Sequence, residues 1–253
     1  MRGAARRLAK WGAVSRVSAR FEVLDVSETP LGDVTLWRRL DPTTGGDVFE
    51  VKLGDEYLMS SRFTVAEVEV ARIALAALPD TETGLDVVVG GLGLGYTAQT
   101  VLDDPRVRSL VVVDALEAVI GWHERGLLPV SVSSSSDPRC RLVHADFFAM
   151  NAGSGFDPDH PDRLFDAVVV DIDHSPRHLL SPGNAPFYSE AGVRRLSERL
   201  RPGGVFTLWS NDPPDDDYLA VLRGVFDDVD CEVVRFDNPL QDREATNSVY
   251  VAR

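Results

Sequence analysis

LDVVVGGLGLGYTAQTVL, residues 85–102, opens on a short apolar run, Leu85 to Val89, that breaks into Gly90, Gly91, Gly93 and Gly95 and then takes up a helical pattern. Glycines at such a step let the backbone turn tightly and come close to a ligand, with a helix N-terminus just beyond. Alone, a GxGxG step is weak evidence, because any crowded turn can want glycine. A second apolar run, Leu110 to Val113, follows and ends in Asp114. That acid lies about twenty residues past the glycines, where nucleotide-binding folds place the carboxylate that takes ribose hydroxyls. Together they predict a nucleoside site made of Gly91, Gly93, Gly95 and Asp114.

Outward from this step the pattern alternates strand and helix. Strands are expected at 85–90, 109–114, 141–144, 166–171 and 204–209, with two more near 231–236 and 248–252. Helices fit at 96–103, 116–125, 188–200 and 216–227. Val168 to Val170 is apolar without alternation, as in a strand covered on both faces. Such an order predicts an α/β fold with a doubly wound, mostly parallel, Rossmann-like sheet. Ahead of it, 33–40 (DVTLWRRL) and 47–53 (DVFEVKL) flank a turn rich in Pro, Thr and Gly and read as a hairpin, which EYLMS extends. Val65 to Leu78 has the spacing of a linking helix. The stretches 130–139 and 151–163 read as surface loops. This divides the chain into an arm (1–20), a small β-hairpin layer with its linking helix (21–80) and a catalytic domain (81–253).

Composition narrows the function. The chain has 253 residues and a formal net charge of −14, enough for one large α/β domain with a small addition. The acidity argues against a nucleic-acid partner and suits cationic ligands. No apolar run approaches the roughly 18 residues a membrane span needs, so no membrane partner is expected. Cys140 and Cys231 match no metal or redox spacing, so no metal is expected, and two reduced thiols suit a cytoplasmic protein. The first twenty residues carry Arg2, Arg6, Arg7, Lys10, Arg16 and Arg20 with no acid. They read as a disordered arm rather than a targeting leader.

In such a sheet the ligand lies outside the carboxyl ends of the strands. The first strand ends in the glycines and the second in Asp114. The third ends in His144-Ala145-Asp146-Phe147, the fourth in Asp171-Ile172-Asp173-His174, and the fifth in Ser210-Asn211-Asp212-Pro213-Pro214. Four of the five strands therefore deliver an acid to one edge. Acids also favour turns and helix N-caps anywhere, so each has a structural alternative. Asp171 reads as a general base or a turn cap, Asp173 as a cation anchor or a turn residue, and His174 as a relay or a structural histidine. Asp212 to Asp217 could hold a polycation, but Pro-Pro-Asp-Asp-Asp reads better as a helix start.

These residues resemble the spermidine synthase-like (polyamine aminopropyltransferase) family of the S-adenosylmethionine (SAM) methyltransferase fold. The resemblance covers about residues 33–253 and includes the N-terminal hairpin layer. Gly90-Gly91-Leu92-Gly93-Leu94-Gly95 is similar to the family's GGGDGG loop. Asp114 matches its ribose-binding acid, and Asp146 in HADF the acid of its adenine-contacting GDA motif, with Phe147 beside it. Asp171 in DIDHSP matches the catalytic base of D-S-[ST]-D-P. APFYSEAGVRRLSERLRPGGVF, residues 185–206, resembles a stretch fairly specific to the family. The resemblance implies a seven-stranded SAM-methyltransferase sheet and a dimeric or tetrameric homo-oligomer.

The chain also departs from that pattern. The acid of GGGDGG, which grips the amine of decarboxylated SAM, aligns with Gly93. The family's Gln falls at Leu58 or Met59, its Tyr-His pair has no counterpart in Val65 to Arg72, and its second Asp is displaced to Asp173. The nucleoside half is kept, and the aminopropyl half is changed. The expectation is a transferase that binds SAM or decarboxylated SAM as co-substrate and moves a methyl or aminopropyl group to a small, cationic amine. Asp171 would be its base and Asp173 its cation anchor. Two other readings are a non-catalytic nucleoside-binding or sensing protein of the same fold and, weakest, an NAD-dependent dehydrogenase.

Overall fold

In the computed structural model, which describes residues 21–29, 32–153, 155–238 and 243–253, the chain divides into two compact units after Phe63. The basic arm expected at 1–20 lies outside the described residues.

The first unit is a four-stranded antiparallel sheet in the order β1 (Phe21–Thr29), β2 (Gly32–Leu40), β3 (Asp47–Leu53) and β4 (Glu56–Ser60). Three of its strands follow the expected hairpin and its extension. β1 is an addition: a bulge between Val23 and Asp25 breaks the period-two alternation that would have announced it. Leu36 stands opposite Val51, and both are fully buried. On the other face Phe21 packs on Trp37 at 4.3 Å between ring centroids, and Arg39 pairs with Glu50 at 2.7 Å.

The second unit holds the linking helix α1 (Val65–Ala76) and the alternating elements. These are β5 (Leu85–Gly90), α2 (Tyr96–Asp103), β6 (Val107–Asp114), α3 (Glu117–Glu124), β7 (Cys140–His144), α4 (Phe147–Ala152) and β8 (Phe165–Val170). A 3-10 turn (Pro182–Tyr188), α5 (Glu190–Ser197), β9 (Leu200–Ser210), α6 (Asp216–Arg223), β10 (Val229–Asn238) and β11 (Arg243–Ala252) complete it. The helix expected at 188–200 is shorter, because Pro182 and Pro186 hold the preceding residues in the 3-10 turn and β9 begins at Leu200. α4 is another addition, a six-residue helix in what read partly as loop, capped by Asp146.

The sheet has seven strands in the order β10-β11-β9-β8-β5-β6-β7. β5 to β9 pair in parallel, whereas β11 runs antiparallel between β9 and β10. This is the expected doubly wound sheet. Every residue of β5 is buried, which requires cover on both faces. Successive side chains supply it by pointing opposite ways. Phe206 and Leu208 join an aromatic layer with Phe147, Phe187 and Tyr188, while the Thr207 hydroxyl donates to the Val70 carbonyl of α1 at 3.2 Å. Phe206 is fully buried, and truncating such a ring to alanine costs about 3–5 kcal/mol.

The amino-terminal edge of the sheet is closed by charge. Asp86, 1 % exposed, accepts from Arg108, Arg163 and Arg201 and from the Ser109 hydroxyl. Arg201 also reaches Asp166 at 2.6 Å, and Asp166 accepts the Asp86 N–H. Burial raises the Asp86 carboxyl, but the hydroxyl and three guanidinium groups outweigh it and hold the group well below the usual carboxylate range. Among the described residues no helix is long and apolar enough to cross a membrane.

Candidate active site

The strand order reverses direction beside β5, whose neighbours are β6 and β8, the switch point at which open α/β sheets bind ligands outside the carboxyl ends of their strands. Three backbone bonds carry the strand pairing into the loops. The Asp171 N–H donates to Gly90 O at 2.8 Å, Gly91 N–H to Val113 O at 2.9 Å, and Ala145 N–H to Asp114 O at 3.0 Å. The ends of β5, β6, β7 and β8 are therefore drawn into one rim that carries Asp114, Asp146 and Asp171.

Glycine is required at two points of the loop by both conformation and space. Gly91 has φ +93°, and a Cβ there would lie 2.0 Å from the Asp171 carbonyl oxygen. Gly95, at φ +92°, is the N-cap of α2, and a Cβ there would lie 2.7 Å from the His123 ring. His123 is 1 % exposed and braces the loop from behind: its Nε2 meets Gly93 O at 2.9 Å and its Nδ1 accepts the Val132 N–H at 3.1 Å. Both contacts are satisfied by the neutral ring with its hydrogen on Nε2. Burial favours that neutral form and lowers the His123 pKa, against the contact with Gly93.

Asp114 holds the same loop from the front. Its Oδ2 accepts Leu92 N–H at 2.9 Å and its Oδ1 accepts Leu116 N–H at 2.8 Å. Burial raises its pKa against these backbone donors. Each oxygen keeps further acceptor capacity, which fits a pair of vicinal hydroxyls. Asp146 is exposed, and its Oδ1 alone caps α4 by accepting Phe148 N–H at 2.9 Å and Ala149 N–H at 3.1 Å. Phe147, expected among the ligand contacts, is instead 2 % exposed and stacked on Phe156 at 4.5 Å. Its ring fills the space beneath Gly90, where a Cβ would come within 2.7 Å of it. It supports the loop from the core.

Asp171 stands at the end of β8, and its Oδ2 accepts the Thr97 hydroxyl of α2 at 2.9 Å. Burial pushes its pKa up to about 6, against that hydrogen bond. Burial first and the Asp171 charge second push Glu67, in the first turn of α1, up to about 8. Sequence reasoning missed Glu67, Thr97 and His123. Each stands on an element flanking the motifs, and only the packing of α1, α2 and α3 brings them to the rim.

Asp173 does not share that rim. It is 1 % exposed, and its carboxylate accepts Leu180 N–H (2.7 Å), Asn184 Nδ2 (2.9 Å) and the Tyr188 hydroxyl (2.8 Å). The cation-anchoring role expected of it is corrected: the carboxylate is consumed in pinning the 173–188 segment, and Tyr188 belongs to that pin. The acids after β9 are likewise engaged. Asp215 caps α6, with Asp216 and Asp217 in its first turn. Arg177 pairs with Asp215 at 2.5 Å and with Asp217 at 2.8 Å. A cleft of about 420 Å³ lies there, lined by Ser175, Arg177, His178, Asp212 and Tyr250 among others. Ser175 and Asp212 both address Nδ1 of His178, at 3.2 and 2.7 Å, so the three form no serine–histidine–acid relay. The backbone carbonyl of His174 accepts Asn211 N–H at 2.7 Å, tying the ends of β8 and β9 together.

No protein-family model matches the sequence, and no curated protein matches it by sequence. The structure is similar to that of spermidine synthase from Thermotoga maritima, with a TM-score of 0.68 and 17 % identity over 91 % of this chain and 72 % of that one. It is similar to a spermidine synthase in complex with the transition-state analogue AdoDATO, at TM-score 0.67 and 17 % identity over 91 % and 73 % of the two chains. Human methyltransferase-like protein 13 in complex with SAH gives a TM-score of 0.49 and 19 % identity over 74 % and 77 %. The chain therefore shares the fold of these spermidine synthase structures, as its glycine loop and strand-end acids led us to expect.

Proposed function

We propose that the chain is an alkyl-group transferase that binds a SAM-type nucleoside at the carboxyl edge of its sheet and alkylates a small, cationic amine. One observation carries the reading: the Asp171 carboxylate, at the end of β8 and held by the Thr97 hydroxyl at 2.9 Å, stands at the same strand ends as Asp114 and Asp146, and burial pushes its carboxyl up to about 6. A base poised near neutrality is what removal of an ammonium proton requires. The glycine loop turns directly from β5 into the N-terminus of α2, the step at which a nucleoside would be held. Asp114 would take the ribose hydroxyls and Asp146 the adenine amino group.

The nucleoside, when bound, supplies a carbon activated by a positively charged sulfur. The chain's own residues orient the acceptor and adjust its proton. Asp171 attracts the ammonium and takes one proton, which frees the nitrogen lone pair. The nitrogen–carbon bond then forms in line as the carbon–sulfur bond breaks, and its electron pair stays on sulfur, which leaves as a neutral thioether. Asp171 afterwards returns its proton to water. Holding both partners in line supplies much of the rate.

Parallel calorimetric titration with SAM, decarboxylated SAM and methylthioadenosine tests the reading. A preference for SAM assigns methyl transfer, in keeping with glycine at position 93. A preference for decarboxylated SAM assigns aminopropyl transfer and requires another acid to grip its amine. Failure to bind any of the three refutes the proposal. Binding with no turnover on a panel of amines leaves a nucleoside-binding protein without catalysis.

A further inference from the structure

Asp171 and Trp209 stand side by side at the carboxyl edge. Val170 of β8 lies opposite Leu208 of β9, so the next residue of each strand leaves the pairing at the same level. Side chains alternate between the two faces of a sheet. Thr207 reaches the Val70 carbonyl of α1, which puts Trp209, two residues on, on the α1 face. Asp171 shares that face, because the Thr97 hydroxyl that meets its carboxylate also lies 3.1 Å from the Glu67 carbonyl of α1. Val249 of β11 lies opposite Trp209, and Asn247 follows it on the same face, where its Nδ2 donates to Asn211 Oδ1 at 3.1 Å. The acids after β9 belong to the other face, on which Ser210 and Tyr250 open into the cleft of about 420 Å³. Beside Asp171, the ends of β9 and β11 on the α1 face therefore carry an indole and two amides and no carboxylate. The Trp209 ring is partly exposed, yet its N–H is shielded from water and meets no acceptor among the described residues. An indole nitrogen only donates, and a shielded donor without an acceptor is a standing cost.

We propose that Trp209 determines which acceptor is used: its indole N–H donates to a neutral oxygen that the substrate carries beyond its reacting amine, so the acceptor is a monoamine of the amino-alcohol type rather than a diamine. The inference rests on the reading of Asp171 as the base and names the substrate class of that same site. The single ammonium goes to Asp171. Neighbouring strands lie about 5 Å apart, a gap that a short carbon chain between nitrogen and oxygen spans. A turn of the partly exposed ring presents the N–H to that oxygen and gives it the acceptor it lacks. A second ammonium in the same place would set donor against donor and find no carboxylate on β9 or β11. An alkyl end would leave the N–H unmet. Discrimination therefore comes from a repulsive element as well as an attractive one.

Propanolamine, butylamine and trimethylenediamine have equal length and differ only at the far end, as hydroxyl, methyl and ammonium. Each is titrated into protein labelled with fluorotryptophan, with and without saturating methylthioadenosine. The fluorine resonance of Trp209 is identified by its loss in Trp209→Phe. That resonance should move with propanolamine, which should bind about ten-fold or more tightly than either of the others. Trp209→Phe keeps an aromatic ring and removes the N–H, so propanolamine should lose its margin over butylamine, while unchanged resonances of Trp37 and Trp122 verify the fold. The diamine binding as tightly as the amino alcohol overturns the proposal. So does a Trp209 resonance that stays in place, a margin that survives Trp209→Phe, or binding of none of the three amines. A response at Trp209 selective for the amino alcohol, in a protein that binds no nucleoside, sinks the transferase reading alone.

Discussion

Gly91→Ala isolates the close approach on which the rim depends. The added methyl would stand 2.0 Å from the Asp171 carbonyl oxygen, so the two strand ends must separate by about 1 Å to reach any tolerable contact. They cannot do so freely. Asp171 N–H to Gly90 O at 2.8 Å and Gly91 N–H to Val113 O at 2.9 Å flank the position, and loosening each costs about 1 kcal/mol. An alanine at φ +93° adds about 1–2 kcal/mol of backbone strain. The expected loss is therefore about 3–4 kcal/mol. Gly126→Ala is the control: it lies in the same unit at φ +65° with nothing within 4 Å of its Cβ, so strain alone applies. Urea unfolding of wild type and both variants should separate them by about 2 kcal/mol, with nucleoside affinity reduced only in Gly91→Ala. Equal losses, within about 0.5 kcal/mol, would refute the close approach as the reason for glycine there.

Four further outcomes follow from the same structure. Asp114→Ala should weaken nucleoside binding by ten-fold or more, about 1.4 kcal/mol or above, whereas Asp171→Asn should spare binding and abolish turnover; calorimetry and single-turnover assays separate the two. Asp86→Asn should cost about 3 kcal/mol, the low end for a broken buried pair because its arginines can rehydrate. The Asp86 carboxyl is depressed in the fold, so its contribution is complete above the unfolded value of about 4 and is lost as the pH falls below it; the variant should unfold with less acid sensitivity. His123 is lowered by burial, so the unfolded chain binds its proton first and stability should fall as the pH drops through about 6.5, a slope that His123→Ala should remove. Asp171 and Glu67 are raised, to about 6 and about 8, so stability should decline as the pH rises from the unfolded carboxyl values near 4 up to about 8, and Glu67→Gln should remove the decline above about 6 in thermal melts.

The parts of the fold legible in the sequence are those governed by local pattern. Val87 to Val89 and Val168 to Val170 announce doubly covered strands, the glycines announce the turn between β5 and α2, and Asp215 to Asp217 announce the start of α6. β1 escaped because its bulge disrupts alternation, and α4 because six residues give too little periodicity. The candidate site divides the same way. Asp114, Asp146 and Asp171 end strands or cap the following turn, so counting along the chain finds them. Asp173 is two residues from Asp171, yet the chain turns inward and donors from Leu180, Asn184 and Tyr188 claim its carboxylate. Glu67 lies 104 positions before Asp171 and approaches it only because α1 packs beside α2; no local spacing encodes that meeting.

β11 runs between β9 and β10, although it follows both in the chain. The sheet therefore cannot be laid down in order of synthesis, because β10 has no place beside β9 until the later strand separates them. The ten-residue pairing of β10 with β11, from Val229–Ala252 to Asn238–Arg243, is local and can form early as a hairpin. Only its outer half, Ser248 to Ala252, then joins β9. Until that docking, β9 presents a bare edge of Val205 to Ser210, an invitation to pair with another chain. A growing polypeptide must thus keep β9 guarded until the final hairpin arrives, and its vulnerability to aggregation is concentrated in that interval.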